Sequence, residues 1–474
     1  MTAVTGSESL SALNTRAQSC AERIRSSEAV LLASHIDADG LTSAAIAATA
    51  LERADIPFEV VFEKQLDDAA LASIAQTGYD TVLFTDFGSG QLDRIVDHEN
   101  AGAFTPVICD HHQPAEGSTT YHCNPLLEGI DGASALSGAG VAYLLAQALD
   151  GGDRNRDLAA LAVVGAVGDM QATDDGLGGV NATIVEEGIE AGVLEERPDL
   201  SLFGRQTRPL PQLLQYSNDV HLPGITNDRH GSMQFCDSLS IDLKADGEWR
   251  TWVELSADQR QTVVSALVQH ALERGVTPEA IEDLVGTTYT LVTEPEGTEL
   301  RDASEFSTLL NATARYERAD VGLAVCLGNR DGALDRAQSL LATHRRNLSS
   351  GIEWVQNNGV TRCERLQWFD AGEEIRETIV GIVAGMALGT ANIDRDRPII
   401  GFAKKTATES KVSARGTTRL VAQGLDLSTV MGEASRAVGG DGGGHDIAAG
   451  ATIPSDQRDA FIECADEIVV QQLE

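Results

Sequence analysis

The first 110 residues contain four short apolar runs, and their spacing is the strongest constraint on the fold. Each run ends in polar or charged residues, and stretches with a helical pattern, Leu41–Ala54 and Leu66–Gln76, lie between them. The runs are Ala29–Ala33, Val60–Phe62, Val82–Thr85 and Pro106–Cys109. Strands that alternate with helices predict an α/β domain in which helices cover both faces of a parallel, doubly wound sheet. Two later apolar segments, Leu136–Leu149 and Asp157–Val167, are predicted to be buried helices.

Length and composition narrow the class of protein. The chain has 474 residues, of which 42% are hydrophobic, so we expect two or three domains and no extensive disorder. The best candidate for a membrane span, Ile379–Leu388, is too short to cross a bilayer. The N-terminal residues lack the basic flank and apolar core of a secretory signal. The seven cysteines form no CxxC pair, which argues against a disulfide framework. We therefore expect a cytoplasmic protein.

The charge balance is strongly acidic. The chain has 72 acidic and 35 basic residues, which gives a formal net charge of −37. Only five of the basic residues are lysines, and the excess acid is spread along the whole chain. This pattern favours adaptation to molar salt, where screening over about 3 Å weakens the repulsion between carboxylates. The alternative is an acidic protein with a basic partner. In molar salt, a negative net charge does not exclude a polyanionic substrate.

Residues 191–345 are predicted to form a helical connecting region. Two segments in this region are predicted to be loops, Arg208–Pro211 and His221–Gly224. A helix is predicted to begin at a capping box and to end near Gly275, with three apolar residues on one face. The capping residues are Ser256 and Gln259, and the apolar ones are Val263, Leu267 and Ala271. A second helix is expected over Ser304–Tyr316.

Residues 346–474 are predicted to form a second, smaller α/β domain. The pair Asp370 and Glu373 has the spacing of a capping signal, and we expect it to begin the helix that contains Ile379–Leu388. Pro398–Ala403 has the composition of a strand. The first α/β domain then covers residues 1–190.

Acidic and histidine residues directly follow three of the four apolar runs. Loops at the carboxyl ends of parallel strands share one crevice, so we expect these side chains to meet there. They are His35, Asp37, Asp39, Asp86, Asp110, His111 and His112, and Asp169 at the end of a later apolar segment is a candidate to join them. So many carboxylates need cations, and carboxylates mixed with imidazoles suit Mn²⁺, Mg²⁺ or Zn²⁺. Two ions about 3.5–4 Å apart are typical of enzymes that attack phosphorus.

Each of these signals also has a simpler interpretation. The first acidic loop has the pattern of a common surface turn, and Asp86 fits the cap of a following helix. A competing zinc site would use Cys109, His111, His122 and Cys123. Its spacing matches no usual zinc pattern, and it leaves the acids of the first two loops unused. His98 and His122 are otherwise expected to be solvent-exposed. The joint placement of four segments at element ends favours the carboxylate–histidine centre.

Four motifs, in order, resemble those of the DHH phosphoesterase superfamily. They are SHIDADG (Ser34–Gly40), TDFG (Thr85–Gly88), CDHH (Cys109–His112) and GAVGD (Gly165–Asp169). The resemblance implies two divalent cations, usually Mn²⁺, with Mg²⁺ as an alternative. It implies that one ion is held by His35, Asp37 and Asp86, and the other by Asp39, Asp86, His111 and Asp169. It further implies that Asp110 orients a ligand histidine and that His112 stabilises charge on the phosphate.

A second resemblance lies near the C-terminus. The glycine-rich segment Gly439–Gly450 and the triplet Ser413-Ala-Arg415 resemble motifs of the DHHA1 domain of RecJ-type nucleases. This implies that substrate is bound by Ser413, Arg415, Gly443, Gly444 and His445. Successive glycines can also present N–H groups as an anion-binding nest, although a flexible turn has the same composition. Lys404, Lys405 and Lys411 lie just upstream, and Leu300–Arg315 resembles a segment of archaeal RecJ-like proteins.

These resemblances imply a metal-dependent phosphodiesterase, in first place a RecJ-like exonuclease. A hydroxide activated by two metal ions would hydrolyse single-stranded DNA or RNA. Two alternatives stay open. One is hydrolysis of short substrates such as nanoRNA, cyclic dinucleotides or phosphoadenosine phosphate. The other is a scaffold in a replication complex, so replication or repair proteins are candidate partners beside single-stranded nucleic acid.

Overall fold

The structure is a computed structural model that describes residues 6–150, 153–217, 220–388, 390 and 393–473. The chain divides into two compact units, one extending to Gln338 and the other beginning at Ser339. Among the described residues, no helix is both long enough and apolar enough to cross a membrane.

The first unit is built on a parallel sheet of five strands, which confirms the predicted fold class. The strands are β1 (Val30–His35), β2 (Phe58–Glu63), β3 (Thr81–Thr85), β4 (Thr105–Cys109) and β5 (His122–Cys123), in the order β2-β1-β3-β4-β5. The fifth strand was not predicted. Ser34 pairs with Thr85, and Thr85 pairs with Cys109, so β1, β3 and β4 end at the same level. The loops that follow these three strands therefore begin side by side.

Helices cover both faces of this sheet. They are α1 (Gly6–Arg25), α2 (Ala38–Arg53), α3 (Asp68–Gln76), α4 (Leu92–Asn100), α5 (Gly138–Asp150), α6 (Ala159–Gly168) and α7 (Gly179–Glu190). Leu32 and Leu83 belong to a core with α1, α2 and α5, whereas Leu31 and Val82 belong to a second core with α3 and α4. The alternation along the strands thus buries both faces. Helices α5 and α6 confirm the two predicted buried helices.

The rest of the first unit contains three two-stranded antiparallel sheets and further helices. Short strands β6 (Ala172–Thr173) and β7 (Gly176–Leu177) form a hairpin, β8 (Leu194–Leu200) pairs with β11 (Val285–Leu291), and β9 (Lys244–Ala245) pairs with β10 (Glu248–Trp249). The helices are α8 (Leu210–Gln215), α9 (Arg229–Ser238), α10 (Ala257–Glu273), α11 (Pro278–Glu282), α12 (Ala303–Arg315) and α13 (Ala319–Cys326). Helix α14 (Gly332–Asn358) begins in the first unit and ends in the second.

Both helices predicted between residues 191 and 345 are confirmed, whereas the strands β8, β9, β10 and β11 were not predicted. The capping box of α10 is confirmed, since Ser256 accepts a hydrogen bond from the Gln259 N–H and the Gln259 side chain accepts one from the Ser256 N–H. The predicted helix over Ser304–Tyr316 corresponds to α12. The prediction of a loop over Arg208–Pro211 is wrong in its second half, because α8 begins at Leu210. Proline is tolerated in the first turn, where its missing N–H costs no intrahelical hydrogen bond.

The second unit has a mixed sheet of six strands in the order β12-β13-β14-β15-β17-β16. They are β12 (Thr361–Arg362), β13 (Gln367–Asp370), β14 (Ile399–Lys404), β15 (Glu409–Arg415), β16 (Asp441–Gly444) and β17 (Ala448–Pro454). The helices are α15 (Val380–Ala387), α16 (Thr418–Ala422), α17 (Leu427–Ala437) and α18 (Arg458–Leu473). The predicted strand over Pro398–Ala403 corresponds to β14.

The predicted capping signal in this unit is wrong. Asp370 is the last residue of β13, and its carboxylate accepts hydrogen bonds from the Gly372 N–H and from Arg458. Helix α15 begins ten residues later, after Ile379, without a side-chain cap. Asp370 therefore closes a strand, because an Asp side chain satisfies turn N–H groups as readily as those of a helix.

Gly165 tests how tightly α6 packs against its neighbours. A Cβ atom there would lie 2.5 Å from both Asp39 Oδ1 and Thr42 Oγ1 and would also meet Ala139 Cβ. We expect Gly165→Ala to destabilise the protein by about 1–3 kcal/mol through overpacking. The midpoint of thermal unfolding would report this, with Gly332→Ala as control because nothing lies within 4 Å of the corresponding Cβ position. Equal midpoints for the two variants would contradict the prediction.

Candidate metal centre

Three of the predicted ligands form one group beside β1 and β3. His35 Nδ1 lies 3.1 Å from Asp37 Oδ2 and 3.6 Å from Asp86 Oδ2. One ligand atom from each of these residues lies within 4.8 Å of the others. Asp37 is also the cap of α2, since its carboxylate accepts a hydrogen bond from the Gly40 N–H. Two oxygens and one imidazole nitrogen thus converge on one side of Asp86.

A second group lies on the other side of Asp86. His111 Nε2 lies 3.4 Å from Asp86 Oδ1, 3.8 Å from Asp39 Oδ2 and 3.7 Å from Asp169 Oδ2. Asp39, His111 and Asp169 offer ligand atoms within 4.8 Å of one another. Asp86 approaches the first group through Oδ2 and the second through Oδ1. This is the arrangement that a carboxylate shared by two cations requires.

Two buried polar atoms in the centre lack partners. Asp86 Oδ1 and His111 Nε2 have no hydrogen-bond partner, although both residues are buried. Buried polar atoms are normally paired, so an exception at a cluster of metal-ligand atoms indicates an ion-binding position. The donor set, oxygens with a minority of imidazole nitrogens, fits Mn²⁺ or Mg²⁺.

The pKa values of the acidic residues show that bringing these carboxylates together opposes their ionisation. Burial raises the pKa of Asp39 well above its usual value, and the nearby carboxylates of Asp86 and Asp169 raise it further. Burial also raises the pKa of Asp169, which His111 only partly offsets. Burial acts in the same direction on Asp86, but the attraction of His111 and His35 outweighs it and lowers the pKa of Asp86.

The two ligand histidines have the opposite shift. Burial lowers the pKa of His35, but interactions with Asp37 and Asp86 outweigh this effect and raise it to about 11. Burial likewise lowers the pKa of His111, while Asp86, Asp39 and Asp169 raise it to about 11. Without divalent cations, both rings therefore carry protons that partly neutralise the carboxylates. A bound cation would displace those protons, because only neutral imidazole is a metal ligand.

The N-terminus of α5 holds Asp39 in place, a contribution that the sequence analysis missed. The Gly138 and Ala139 N–H groups donate hydrogen bonds of 2.7 and 2.9 Å to the Asp39 carboxylate. A Cβ atom on Gly138 would lie 2.8 Å from Asp86 Cγ. Glycine therefore allows α5 to approach two carboxylates at once. The signal was available as the pair of glycines in Ser137–Gly140, but small residues at a helix start have no unique meaning.

A polar network behind the centre orients His111 and Asp169. His111 Nδ1 donates to the Gly132 carbonyl at 2.6 Å, which leaves Nε2 facing the carboxylates. Gln171 Nε2 donates to the same carbonyl and to Asp169 Oδ2, both at 2.9 Å. Asn181 Nδ2 donates in turn to Gln171 Oε1 at 2.7 Å. One glutamine side chain thus couples a histidine and a carboxylate of the centre.

Asp110 has a different partner from the one that the resemblance implied. Its Oδ1 accepts a hydrogen bond of 2.8 Å from His112 Nδ1, and its Oδ2 accepts one of 2.9 Å from the Ser89 N–H. The histidine that Asp110 orients is therefore His112, whereas the Gly132 carbonyl orients His111. The hydrogen bond to Asp110 raises the pKa of His112, whose side chain is 54% exposed.

The competing zinc site finds no support among the described residues. The groups of potential ligands there contain no cysteine, and Cys109 and Cys123 are fully buried. The prediction that His122 is solvent-exposed is wrong: it is 4% exposed, and its Nε2 lies 2.9 Å from Ser89 Oγ. Burial lowers the pKa of His122 to about 4. His98 is half-buried and stacks on the Phe104 ring.

Helix α12 contacts the first acidic loop, which gives a structural role to the segment Leu300–Arg315. Asn311 Oδ1 accepts a hydrogen bond of 3.1 Å from the Ala38 N–H, between Asp37 and Asp39. Burial lowers the pKa of Arg315, and the charge of Asp37 opposes this shift. The helix therefore positions the loop and brings a cation beside it.

The predicted substrate residues of the second unit lie on β15 and at the end of β16, the two strands that flank β17. Ser413 on β15 and Gly443 on β16 both pair with Gly450 of β17, so they share one row of the sheet. Arg415 ends β15 beside Gly381 of α15, where a Cβ atom would lie 2.6 Å from Arg415 Nη2. Gly444 pairs with Ala449, and the exposed His445 follows it, its N–H donating to the Ala448 carbonyl.

The prediction of a glycine nest needs correction. Asp441–Gly444 is an edge strand, β16, paired with β17. Its backbone groups on the β17 side are therefore used within the sheet rather than gathered in a turn. Of the nearby lysines, Lys404 pairs with Glu373.

Family models match three parts of the chain. The N-terminal domain of the DHH family matches residues 29–166, the DHH-CID domain matches residues 202–285, and the DHHA1 domain matches residues 364–471. The DHH-CID match falls within the region predicted to be a helical connecting region. A relative in Methanocaldococcus jannaschii, an uncharacterized protein, is 27% identical over 447 residues, or 93% of each chain.

Solved structures share the fold at low identity. RecJ from Thermus thermophilus, in complex with Mn²⁺, has a TM-score of 0.60 and 18% identity, covering 99% of this chain and 55% of that chain. This protein thus spans about half of that RecJ. An exonuclease RecJ bound to manganese has a TM-score of 0.58 at 18% identity, with 97% of this chain and 94% of that chain covered. CDC45 from Entamoeba histolytica has a TM-score of 0.63 at 11% identity, with 98% and 99% covered.

The three matched domains occur in the order DHH, DHH-CID and DHHA1, and the parallel sheet of the first unit carries the four motifs at its strand and helix ends. The RecJ folds extend the likeness over nearly the whole chain. The chain therefore contains matches to the DHH, DHH-CID and DHHA1 domains, and its fold is similar to that of RecJ.

Proposed function

We propose that this protein is a phosphodiesterase that requires divalent cations and acts as an exonuclease on single-stranded DNA or RNA. The observation that carries the proposal is the position of Asp86, whose two oxygens lie near two different groups of ligand atoms. The unpartnered Asp86 Oδ1 and His111 Nε2 atoms support it. RecJ structures of the same fold contain Mn²⁺ or Mg²⁺, which favours these ions, Mn²⁺ first.

The proposed ligand sets follow the two groups. His35, Asp37 and Asp86 would hold one ion, and the second would be held by Asp39, Asp86, His111 and Asp169. Ions bound there would lower the pKa of bound water and neutralise charge on the phosphate. The chain's own residues supply the orientation: the α5 N–H groups hold Asp39, and Gln171 holds Asp169.

His112 is the proposed group that contacts the reacting phosphate. Asp110 binds its Nδ1 and favours the protonated ring, so Nε2–H is available to donate to a phosphate oxygen. Asp110 itself is fully buried with both oxygens paired, which suits a positioning role.

The second unit is proposed to bind neighbouring phosphates of the strand. Ser413 and Arg415 lie on β15, and Gly443 has open space where a side chain would otherwise project. A guanidinium suits bidentate phosphate binding. At glycine, a phosphate can approach the backbone N–H groups closely because no side chain is in the way. The residues proposed for this role are Ser413, Arg415, Gly443, Gly444 and His445.

The likeness to CDC45 supports a second candidate, a scaffold in a replication complex. All six proposed ligand residues are present, which favours catalysis over a purely structural role. Assays of 5′- and 3′-labelled DNA and RNA strands and of dinucleotides, with Mn²⁺ in molar salt, separate the candidates. Cleavage of strands supports the exonuclease, cleavage confined to dinucleotides supports a small-substrate enzyme, and no cleavage with replication proteins bound supports the scaffold.

Asp86→Asn is the sharpest test of the shared ligand. Asp86 has φ 60°, a left-handed conformation that asparagine tolerates better than alanine. Loss of the charge should reduce hydrolysis about a hundredfold or more, because both ions lose a ligand. The exposed Asp93→Asn is the matched control. Hydrolysis within a few-fold of wild type in Asp86→Asn would remove Asp86 from the catalytic centre.

The affinity for Mn²⁺ should rise with pH. His35 and His111 each have a pKa of about 11 without divalent cations, so both are protonated at pH 6–8 and must lose a proton on binding. Each added pH unit should therefore tighten the Mn²⁺ Kd by about ten- to a hundredfold. Calorimetry in buffers of different ionisation enthalpy measures the released protons. A Kd that does not change with pH would argue against these two ligands.

Gln171→Met tests the network behind the centre. The substitution keeps the side-chain length but removes the donor to Asp169 and the Gly132 carbonyl. Mn²⁺ affinity should fall about ten- to a hundredfold, as is usual when the partner of a metal ligand is lost. The rise in unfolding temperature on adding Mn²⁺ reports it, and Gln261→Met on the exposed face of α10 is the control. An unchanged rise would show that the network does not position the ligands.

A further inference from the structure

Met170 is an unusual residue directly beside the metal centre. It directly follows Asp169. It is a large hydrophobic residue, yet it is 89% exposed. Its backbone has φ 59°. The Met170 N–H donates to the Val167 carbonyl and the Gln171 N–H to the Ala166 carbonyl, so Met170 closes the C-terminus of α6 in the left-handed conformation.

This conformation is unfavourable for methionine. The left-handed position after a helix is normally filled by glycine, or by asparagine, whose short polar side chain can bond locally. The non-glycine residues with positive φ among the described part of the chain are Asp55, Asp86, Met170, Asn227, Asp246 and Glu317. All but Met170 have polar side chains. Met170 therefore carries backbone strain and an exposed apolar side chain together.

Met170 contributes little to packing, because the residue is largely exposed, and it is the sequence neighbour of a proposed metal ligand. Consecutive Cα atoms are about 3.8 Å apart, so Met170 lies next to the residue whose carboxylate joins Asp39 and His111. On its other side, Gln171 is 3% exposed and fixes the turn. A phosphodiester bound at the proposed centre would have its phosphate among the ligands, and its sugar and base would extend away from the buried carboxylates.

We propose that Met170 contacts the sugar or base of the nucleotide whose phosphate is bound at the metal centre, an inference that rests on the proposed function. The flexible, polarizable thioether packs against any base face, and apolar side chains including methionine insert between bases in other nucleic-acid complexes. Such a contact distinguishes a nucleotide from a simple phosphodiester without reading its sequence. It also suits a chain in which only 4% of residues are aromatic.

The test compares two substrates that differ in the nucleoside. They are thymidine 5′-(p-nitrophenyl phosphate) and methyl p-nitrophenyl phosphate, assayed with Mn²⁺ in molar salt. Met170→Gly should raise KM for the thymidine ester about three- to tenfold and leave kcat/KM for the methyl ester unchanged. It should also raise Tm by about 1–2 °C, because glycine relieves the left-handed strain. Met170→Leu, which keeps an apolar contact, should retain most of the preference for the nucleoside.

Asp55→Gly is the matched control. Asp55 has φ 56° after α2, and its N–H and that of Ile56 make the same pattern of hydrogen bonds to the preceding turn. This variant should gain stability without a change in either KM. Equal losses on both substrates in Met170→Gly, or a weaker Tm response to Mn²⁺, would overturn the proposal, because Met170 would then act only through Asp169. Unchanged kinetics on both substrates would overturn it as well.

A wild-type protein that hydrolyses neither ester nor any strand would defeat the proposed function instead. Fluorescence anisotropy of a labelled oligonucleotide then decides the role of Met170 by itself. A Kd at least about threefold weaker for Met170→Gly than for wild type and Asp55→Gly supports the contact, and equal Kd values overturn it.

Discussion

The repulsion between buried carboxylates is the constraint on which the first unit depends. Asp39 and Asp86 are each 2% exposed, and Asp169 lies beside them. Burial and mutual repulsion raise the pKa of Asp39, which means that the fold opposes its ionisation. Protonated His35 and His111 and the N–H groups of α5 offset this cost in the protein alone. Divalent cations would offset it more completely.

The rest of the architecture brings those acids together and keeps them there. The strands β1, β3 and β4 end in register, so their loops start at one edge of the sheet. Gly138 and Gly165 let α5 and α6 approach the carboxylates without a clash. The carbonyl of Gly132 and the side chain of Gln171 then fix the orientation of His111 and Asp169. Close packing at the two glycines thus brings together the charged groups that the hydrogen bonds then orient.

The proposed ligands were predictable because each occurs where a regular element ends. A parallel sheet gathers such positions whatever the side chains are, so His35, Asp86 and His111 could be placed together from periodicity alone. The supporting residues were not predictable, because Gly132 and Gln171 come from irregular segments whose spacing has no fixed geometry. Asn181 lies near the start of α7, and its contact with Gln171 follows no local pattern. The prediction of an anion-binding nest in the glycine-rich segment was wrong for a related reason. Glycine permits both a nest and an edge strand, and pairing with β17 decides between them.

The sequence by itself determined the fold class, the set of acidic and imidazole groups and the motifs of the DHH and DHHA1 domains, since hydrophobic periodicity and ordered motifs are local properties. Only the tertiary structure decided which atoms meet. It pairs Asp110 with the imidazole of His112 rather than that of His111, places two groups of ligand atoms around Asp86, and leaves Met170 exposed in a left-handed conformation. The grouping of the ligands depends on contacts between residues far apart in the chain, and the exact position of every side chain is set by packing that no local pattern encodes.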